Sequence, residues 1–93
     1  MAGPAPVALV TGASAGIGLY TALGLARAGF RVVMAGRDSA RLEEARRTVA
    51  ERSGSALTEP ALADFASLAA VRGLAEGVLA THDRLDLLVN NPG

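Results

Sequence analysis

Thr11-Gly12-Ala13-Ser14-Ala15-Gly16-Ile17-Gly18 is the stretch whose reading decides the fold. It follows Val7-Ala8-Leu9-Val10, a short apolar run bounded by Pro6 and Gly12, which reads as a strand buried on both faces. It opens into Ile17 to Ala28, apolar around most of its circumference except at Thr21 and Arg27, with Gly29 as a stop. A strand, a glycine-rich turn and a helix in that order bring backbone N–H groups toward a pyrophosphate, and the helix dipole favours the negative charge. Glycine is required there where a Cβ blocks the ligand or where the turn needs positive φ. A phosphate loop of the ATPase type is excluded, because it ends in Gly-Lys-Ser/Thr and the chain has no Lys. The spacing is G-x-x-x-G-x-G rather than the common G-x-G-x-x-G.

Outward from the turn, apolar patterns alternate in type. Arg31-Val32-Val33-Met34-Ala35 is a second buried strand. Asp38 or Ser39 caps the next helix, whose stripe is Leu42, Ala45 and Val49 and which Gly54 ends. Its charges read as a solvated face, with Glu43 four residues before Arg47 in the favourable ion-pair order. Ala56 to Ala63 is a third strand, placed at a sheet edge because Pro60 cannot donate to a ladder. Ser67 caps a third helix with Leu68, Val71, Ala75, Val78 and Leu79 inward, and Leu85-Asp86-Leu87-Leu88-Val89 is a fourth strand. The order β-α-β-α-β-α-β implies an α/β fold with parallel strands joined by right-handed helical crossovers.

Composition narrows the function. The 93 residues allow one domain at most, and hydrophobic residues at 51% exclude a disordered chain. Nine basic residues, all Arg, balance nine acidic ones, so no nucleic-acid partner is expected. There is no Cys, and the single His82, beside Asp83, reads as a solvated loop residue, so no metal site is expected. No apolar run reaches the roughly 18 residues of a membrane span. The first six residues lack the basic and apolar regions of a signal peptide, so a soluble, cytoplasmic protein is the expectation. At the end of the second strand, where Asp or Glu would bind a ribose 2′-hydroxyl, stands Gly36-Arg37. An Arg there accommodates a 2′-phosphate.

Thr11-Gly12-x-x-x-Gly16-x-Gly18, Gly36-Arg37, Asp64-Phe65 and Asn90-Asn91-Pro92-Gly93, in that order, resemble the classical short-chain dehydrogenase/reductases. The segment Asp64 to Arg72 looks most like the retinol-dehydrogenase-like branch. The resemblance implies a Rossmann fold of strand order 3-2-1-4-5-6-7, of which residues 1–93 would be the N-terminal portion, with strands in the order 3-2-1-4. It implies a nicotinamide dinucleotide as ligand, NADP(H) preferred and NAD(H) possible. Gly12, Ser14, Ala15, Gly16, Ile17 and Gly18 would follow the pyrophosphate and ribose. Arg37 would hold the 2′-phosphate, Asp64 and Phe65 would border the adenine, and Asn90 would lie under the adenosine ribose. Pro92 departs from the family's Asn-Asn-Ala-Gly, removing a backbone N–H and restricting Asn91 to extended conformations. The family's catalytic Ser and Tyr-x-x-x-Lys lie beyond the fourth strand. Tyr20 is the only Tyr, Gly24 stands four residues after it, and no Lys exists.

The expectation is therefore the NADP(H)-binding part of an oxidoreductase that moves a hydride between nicotinamide and a carbonyl or secondary alcohol. These 93 residues alone would be inactive, and their partner would be a C-terminal half or another copy of the chain. A non-catalytic dinucleotide-binding or interaction module ending at Gly93 is the alternative. A reading frame continuing into Tyr-x-x-x-Lys discriminates the two.

Overall fold

The computed structural model describes residues 4–64 and 66–91, so Phe65 and Pro92 lie outside it. The elements are β1 (Val7–Val10), α1 (Gly16–Arg27), β2 (Arg31–Gly36), α2 (Ser39–Ser53), β3 (Thr58–Leu62), α3 (Leu68–His82) and β4 (Leu87–Val89). The four strands are parallel, as the alternation implies, and stand in the order β3-β2-β1-β4, the Rossmann arrangement that the family resemblance implies. Pro60 sits on the edge strand β3, where its missing N–H costs no ladder bond on the open side.

Successive strand residues face opposite sides of a sheet, and here the alternation separates two cores. Val10, Val32 and Met34 pack with Ala22, Leu23 and Ala26 of α1 and Leu42, Ala45 and Val49 of α2. Val7, Leu9, Val33 and Ala35 face the other way, onto Leu74, Ala75 and Val78 of α3. Leu9 and Met34 are wholly buried, each contributing roughly 1.5–3 kcal/mol of burial.

The helix ends follow the local chemistry. Asp38 is the cap of α2, its Oδ1 accepting from the N–H groups of Ala40 at 3.0 Å and Arg41 at 3.1 Å. Gly54 ends α2 at φ 71°, and Ser67 caps α3 through the N–H of Ala70 at 3.1 Å. Asp86 anchors the entry to β4. Its Oδ2 accepts from Arg84 Nε at 2.7 Å and from the Val7 N–H at 2.8 Å. These two bonds, the arginine's first, bring its carboxyl down to about 2.

Three expectations are corrected. Glu43 pairs with Arg46 rather than Arg47, its Oε1 accepting from Arg46 Nε at 2.9 Å, because the i,i+3 guanidinium meets the carboxylate with two donors at once. Leu68 and Leu79 are exposed, at 79% and 50%. The inward face of α3 runs through Val71, Leu74, Ala75 and Val78 instead. His82 is not a solvated loop residue; it ends α3 with a side chain only 13% exposed, held by Glu59 of β3.

No helix among the described residues is long and apolar enough to cross a membrane. Among the described residues, strand β4 pairs with β1 on one side and has no partner on its other edge, with Leu87 and Leu88 at 38% and 42% exposure. An open apolar edge is a template for pairing between chains. We therefore expect concentration-dependent self-association, read by light scattering, that Leu88→Lys reduces. A monodisperse monomer across the concentration range contradicts this.

Candidate functional site

The glycine turn is built by a backbone approach that leaves no room for side chains. A Cβ on Gly18 would stand 2.1 Å from the carbonyl oxygen of Gly12, so the first turn of α1 can lie on the end of β1 only with glycine there. Gly12, at φ 61°, lies beneath Asn91, whose backbone oxygen would be 2.6 Å from a Cβ at Gly12.

Thr11 joins the turn to β4. Its side chain is completely buried at the end of an apolar strand. The hydroxyl accepts from the Asn91 N–H at 2.9 Å and has Asn90 Oδ1 at 3.0 Å as acceptor for its own proton. Asn91 Nδ2 donates to the Gly12 carbonyl at 3.3 Å. The Thr11 N–H donates to the Val89 carbonyl at 3.0 Å, and the Ala13 N–H to that of Ala35 at 3.1 Å. The carboxyl ends of β1, β2 and β4 thus converge on one turn.

The first turn of α1 differs from those of α2 and α3. Its cap is Ala15, which offers no side-chain acceptor, whereas Asp38 and Ser67 supply one in the other two helices. The opening N–H groups of α1 therefore have no side-chain cap among the described residues, at the positive end of the helix dipole. Beside them lies a pocket of about 490 Å³ lined by Gly12, Ser14, Ala15, Gly36, Arg37, Asp38 and Arg41.

Four of the residues singled out in the sequence, Gly12, Ser14, Ala15 and Arg37, therefore meet in one pocket. Gly16, Ile17, Gly18, Asp64 and Asn90 do not line it. Gly16, at φ 57°, and the 77%-exposed Ile17 open α1, and Gly18 provides the backbone contact beneath the turn. Asp64 Oδ1 accepts from the Ala66 N–H at 3.0 Å, fixing its own turn after β3. Asn90 is tied to Thr11, and Phe65 is outside the described residues. Sequence patterns did not place Thr11 and Asn91 in the machinery of the site. The signal available was a polar residue directly after an all-apolar strand, a position that demands a buried partner. No cluster of three or more potential metal-ligating side chains occurs among the described residues.

A family model described as short chain dehydrogenase matches residues 6–93, and the chain belongs to that family. It is 46% identical over 86 residues to the human dehydrogenase/reductase SDR family member 13, covering 92% of this chain and 23% of that protein. Human and mouse retinol dehydrogenases are also relatives, at 36–40% identity. Among solved structures, a metagenomic short-chain oxidoreductase in complex with NADP superposes with a TM-score of 0.81 at 42% identity, covering 95% of this chain and 39% of that one. An NAD+-bound xylitol dehydrogenase gives 0.80 at 36% identity, covering 95% and 33%. The chain spans about a quarter of the length of the curated relatives it matches.

Within α1, Gly18 and Gly24 separate close approach from mere flexibility. At Gly24 a Cβ would meet nothing within 4 Å, so Gly24→Ala should raise stability by about 0.5–1 kcal/mol. Gly18→Ala should cost about 3 kcal/mol, since backbone rather than a side chain must yield. Denaturant midpoints of the two variants check this, and a Gly18→Ala protein as stable as wild type shows that the approach of α1 to β1 does not require glycine.

Proposed function

We propose that these residues form the NADP(H)-binding, N-terminal portion of a single dinucleotide-binding domain in a short-chain oxidoreductase. The whole enzyme would transfer a hydride between nicotinamide and a carbonyl or secondary alcohol. The observation that carries the reading is the lining of the pocket beside the glycine turn. Arg37 and Arg41 both reach it, and the one carboxylate there, Asp38, has its Oδ1 committed to the N–H groups of Ala40 and Arg41. A guanidinium pairs with phosphate oxygens through parallel N–H bonds, which suits a 2′-phosphate better than a 2′-hydroxyl.

The rest of the assignment follows the backbone. Gly12, Ser14, Ala15, Gly16, Ile17 and Gly18 present the uncapped start of α1 to the pyrophosphate, with the space beside Gly16 open and Gly12 and Gly18 closing the turn beneath it. Asn90 accepts from the Thr11 hydroxyl through Oδ1, and its amide nitrogen, which has no hydrogen bond among the described residues, would meet a ribose oxygen. Asp64 acts through the turn it holds, with Phe65, at the adenine. The bound cofactor supplies or accepts the hydride. Acid–base chemistry belongs to the family's Tyr-x-x-x-Lys, and no such sequence occurs in these residues.

Two measurements test this. The 93-residue chain should give no enzyme-dependent oxidation of NADPH with a panel of aldehydes and ketones, because loss of members of a catalytic set costs orders of magnitude in rate. Clear turnover that survives contamination controls overturns the expectation. In titrations, NADP should bind tighter than NAD. A hydrogen bond to a charged group contributes roughly 1.5–3 kcal/mol and each 1.4 kcal/mol is about tenfold, so the preference should be about ten- to a hundredfold and shrink with added salt. Arg37→Ala should remove most of it. Equal affinities in the wild type, or an unchanged ratio in the variant, take Arg37 out of the site.

A further inference from the structure

At the end of the sheet opposite the glycine turn, His82 closes α3 with both ring nitrogens facing acceptors. Its Nδ1 is 3.0 Å from the Val78 carbonyl oxygen, and its Nε2 is 3.1 and 3.0 Å from the two carboxylate oxygens of Glu59 on β3. A carbonyl and a carboxylate have no proton to give, so the two contacts are both satisfied only when both nitrogens donate, as they do in the imidazolium. The same carboxylate accepts from Arg31 of β2 at 2.8 Å.

The pair matters because α3 is otherwise lightly attached. Of its residues only Val71 and Val78 are fully buried. Among the described residues, the Glu59–His82 bond is the only side-chain hydrogen bond from α3 to another element. Between α3 and β3 runs a groove of about 320 Å³, lined by Pro60, Gly73, Leu74 and Gly77, with Glu59 and His82 among its walls. We propose that Glu59 and His82 form a proton-operated latch, in which the imidazolium clips the last turn of α3 to the edge strand β3 and loss of one ring proton, which removes the ionic part of the bond, weakens it. A neutral ring has a single N–H. It must abandon the Val78 carbonyl or turn a lone pair on the carboxylate.

The charges around the latch are few. Arg31 opposes the imidazolium but is itself paired with Glu59. Arg84, on the wall of an adjoining pocket with Arg31 and His82, is engaged by Asp86 at 2.7 and 2.8 Å. Asp83 is the next residue, in the left-handed conformation that ends the helix. The carboxyl-terminal carbonyls of α3 favour a cation at His82. The hydrogen bond to Glu59 raises the imidazole pKa above its ordinary 6.5, outweighing burial, which lowers it. For Glu59, partial burial pushes the carboxyl up, and the bonds from His82 and Arg31 outweigh it and hold the group below its ordinary range. A histidine whose pKa is raised by folding contributes its full stability below the unfolded value. That contribution is lost as pH rises through the folded value. The latch is therefore tightest in mild acid and slackens on the alkaline side of 6.5.

His82 is the only histidine in the chain, so its ring protons report the latch directly in an NMR titration. The expected result is a pKa above 6.5 in the wild type that falls to 6.5 or below in Glu59→Gln. Amide-exchange protection at residues 78–82 should drop as pH rises, tenfold for each pH unit by which the measured pKa exceeds 6.5. In His82→Gln the same amides should show protection independent of pH. A wild-type pKa at or below 6.5, an elevated pKa that survives Glu59→Gln, or protection that ignores pH overturns the latch. Should Glu59→Gln fail to fold, the wild-type titration and the His82→Gln exchange data decide by themselves.

Discussion

The contact between Gly18 and the carbonyl of Gly12 is the constraint on which the rest of this structure depends. A Cβ at residue 18 would fall 2.1 Å from that oxygen, so the distance between α1 and the end of β1 is set by the absence of one carbon atom. Once the helix is that close, the backbone of Gly12 has no space above it except what Asn91 occupies. Thr11 then closes the arrangement with one hydroxyl that accepts from Asn91 and faces Asn90. Each group is satisfied by a neighbour on a different strand, and the positive end of α1 is left uncapped toward a pocket with two arginines. The dense packing below the turn is what fixes the open surface above it.

The sheet distributes its helices unevenly. Helices α1 and α2 bury one face with ten fully buried residues between them and the strands, while α3 shares the other face with far fewer. The difference follows from the residues available. Val10, Val32 and Met34 meet two helices, whereas Leu9 and Val33 meet one, and much of that helix is Ala and Gly. A helix of small side chains fits closely but gains little apolar area, at about 25 cal/mol for each Å². A charged tie at its far end, such as that between His82 and Glu59, then carries a larger share of its attachment than it would on α2.

Much of this is legible in the sequence because the decisive signals are local. The apolar runs mark the strands, Asp38 and Ser67 the caps, Gly54 the end of α2, and Pro60 the sheet edge. The failures share a physical cause. His82 and Glu59 are 23 residues apart and meet only because α3 runs back beside β3, which no local pattern announces. The inward face of α3 differs from the expected one because Leu, Val, Ala and Gly recur on all its sides. Periodicity alone then cannot choose a face, and contact with Leu9 and Val33 chooses it. Glu43 has two arginines within reach, and side-chain geometry rather than spacing selects Arg46. Of the site, the glycine turn and Arg37 are legible, while the part played by Thr11 and Asn91 requires the return of β4.

That return also sets a sequence in time. Strands β2 and β3 are joined through one helix, but Ala8 must find Leu87 across nearly the whole chain. Closing a long loop carries its entropic cost before any contact repays it, so distant pairings form late. The hydroxyl of Thr11 therefore gains its partners only when β4 arrives, after α1 and β2 have already framed the glycine turn. A nascent chain halted before Val89 would hold the turn's glycines and arginines yet lack the clasp that orders them, so the turn is completed in one step, by the return of β4, rather than by gradual accretion.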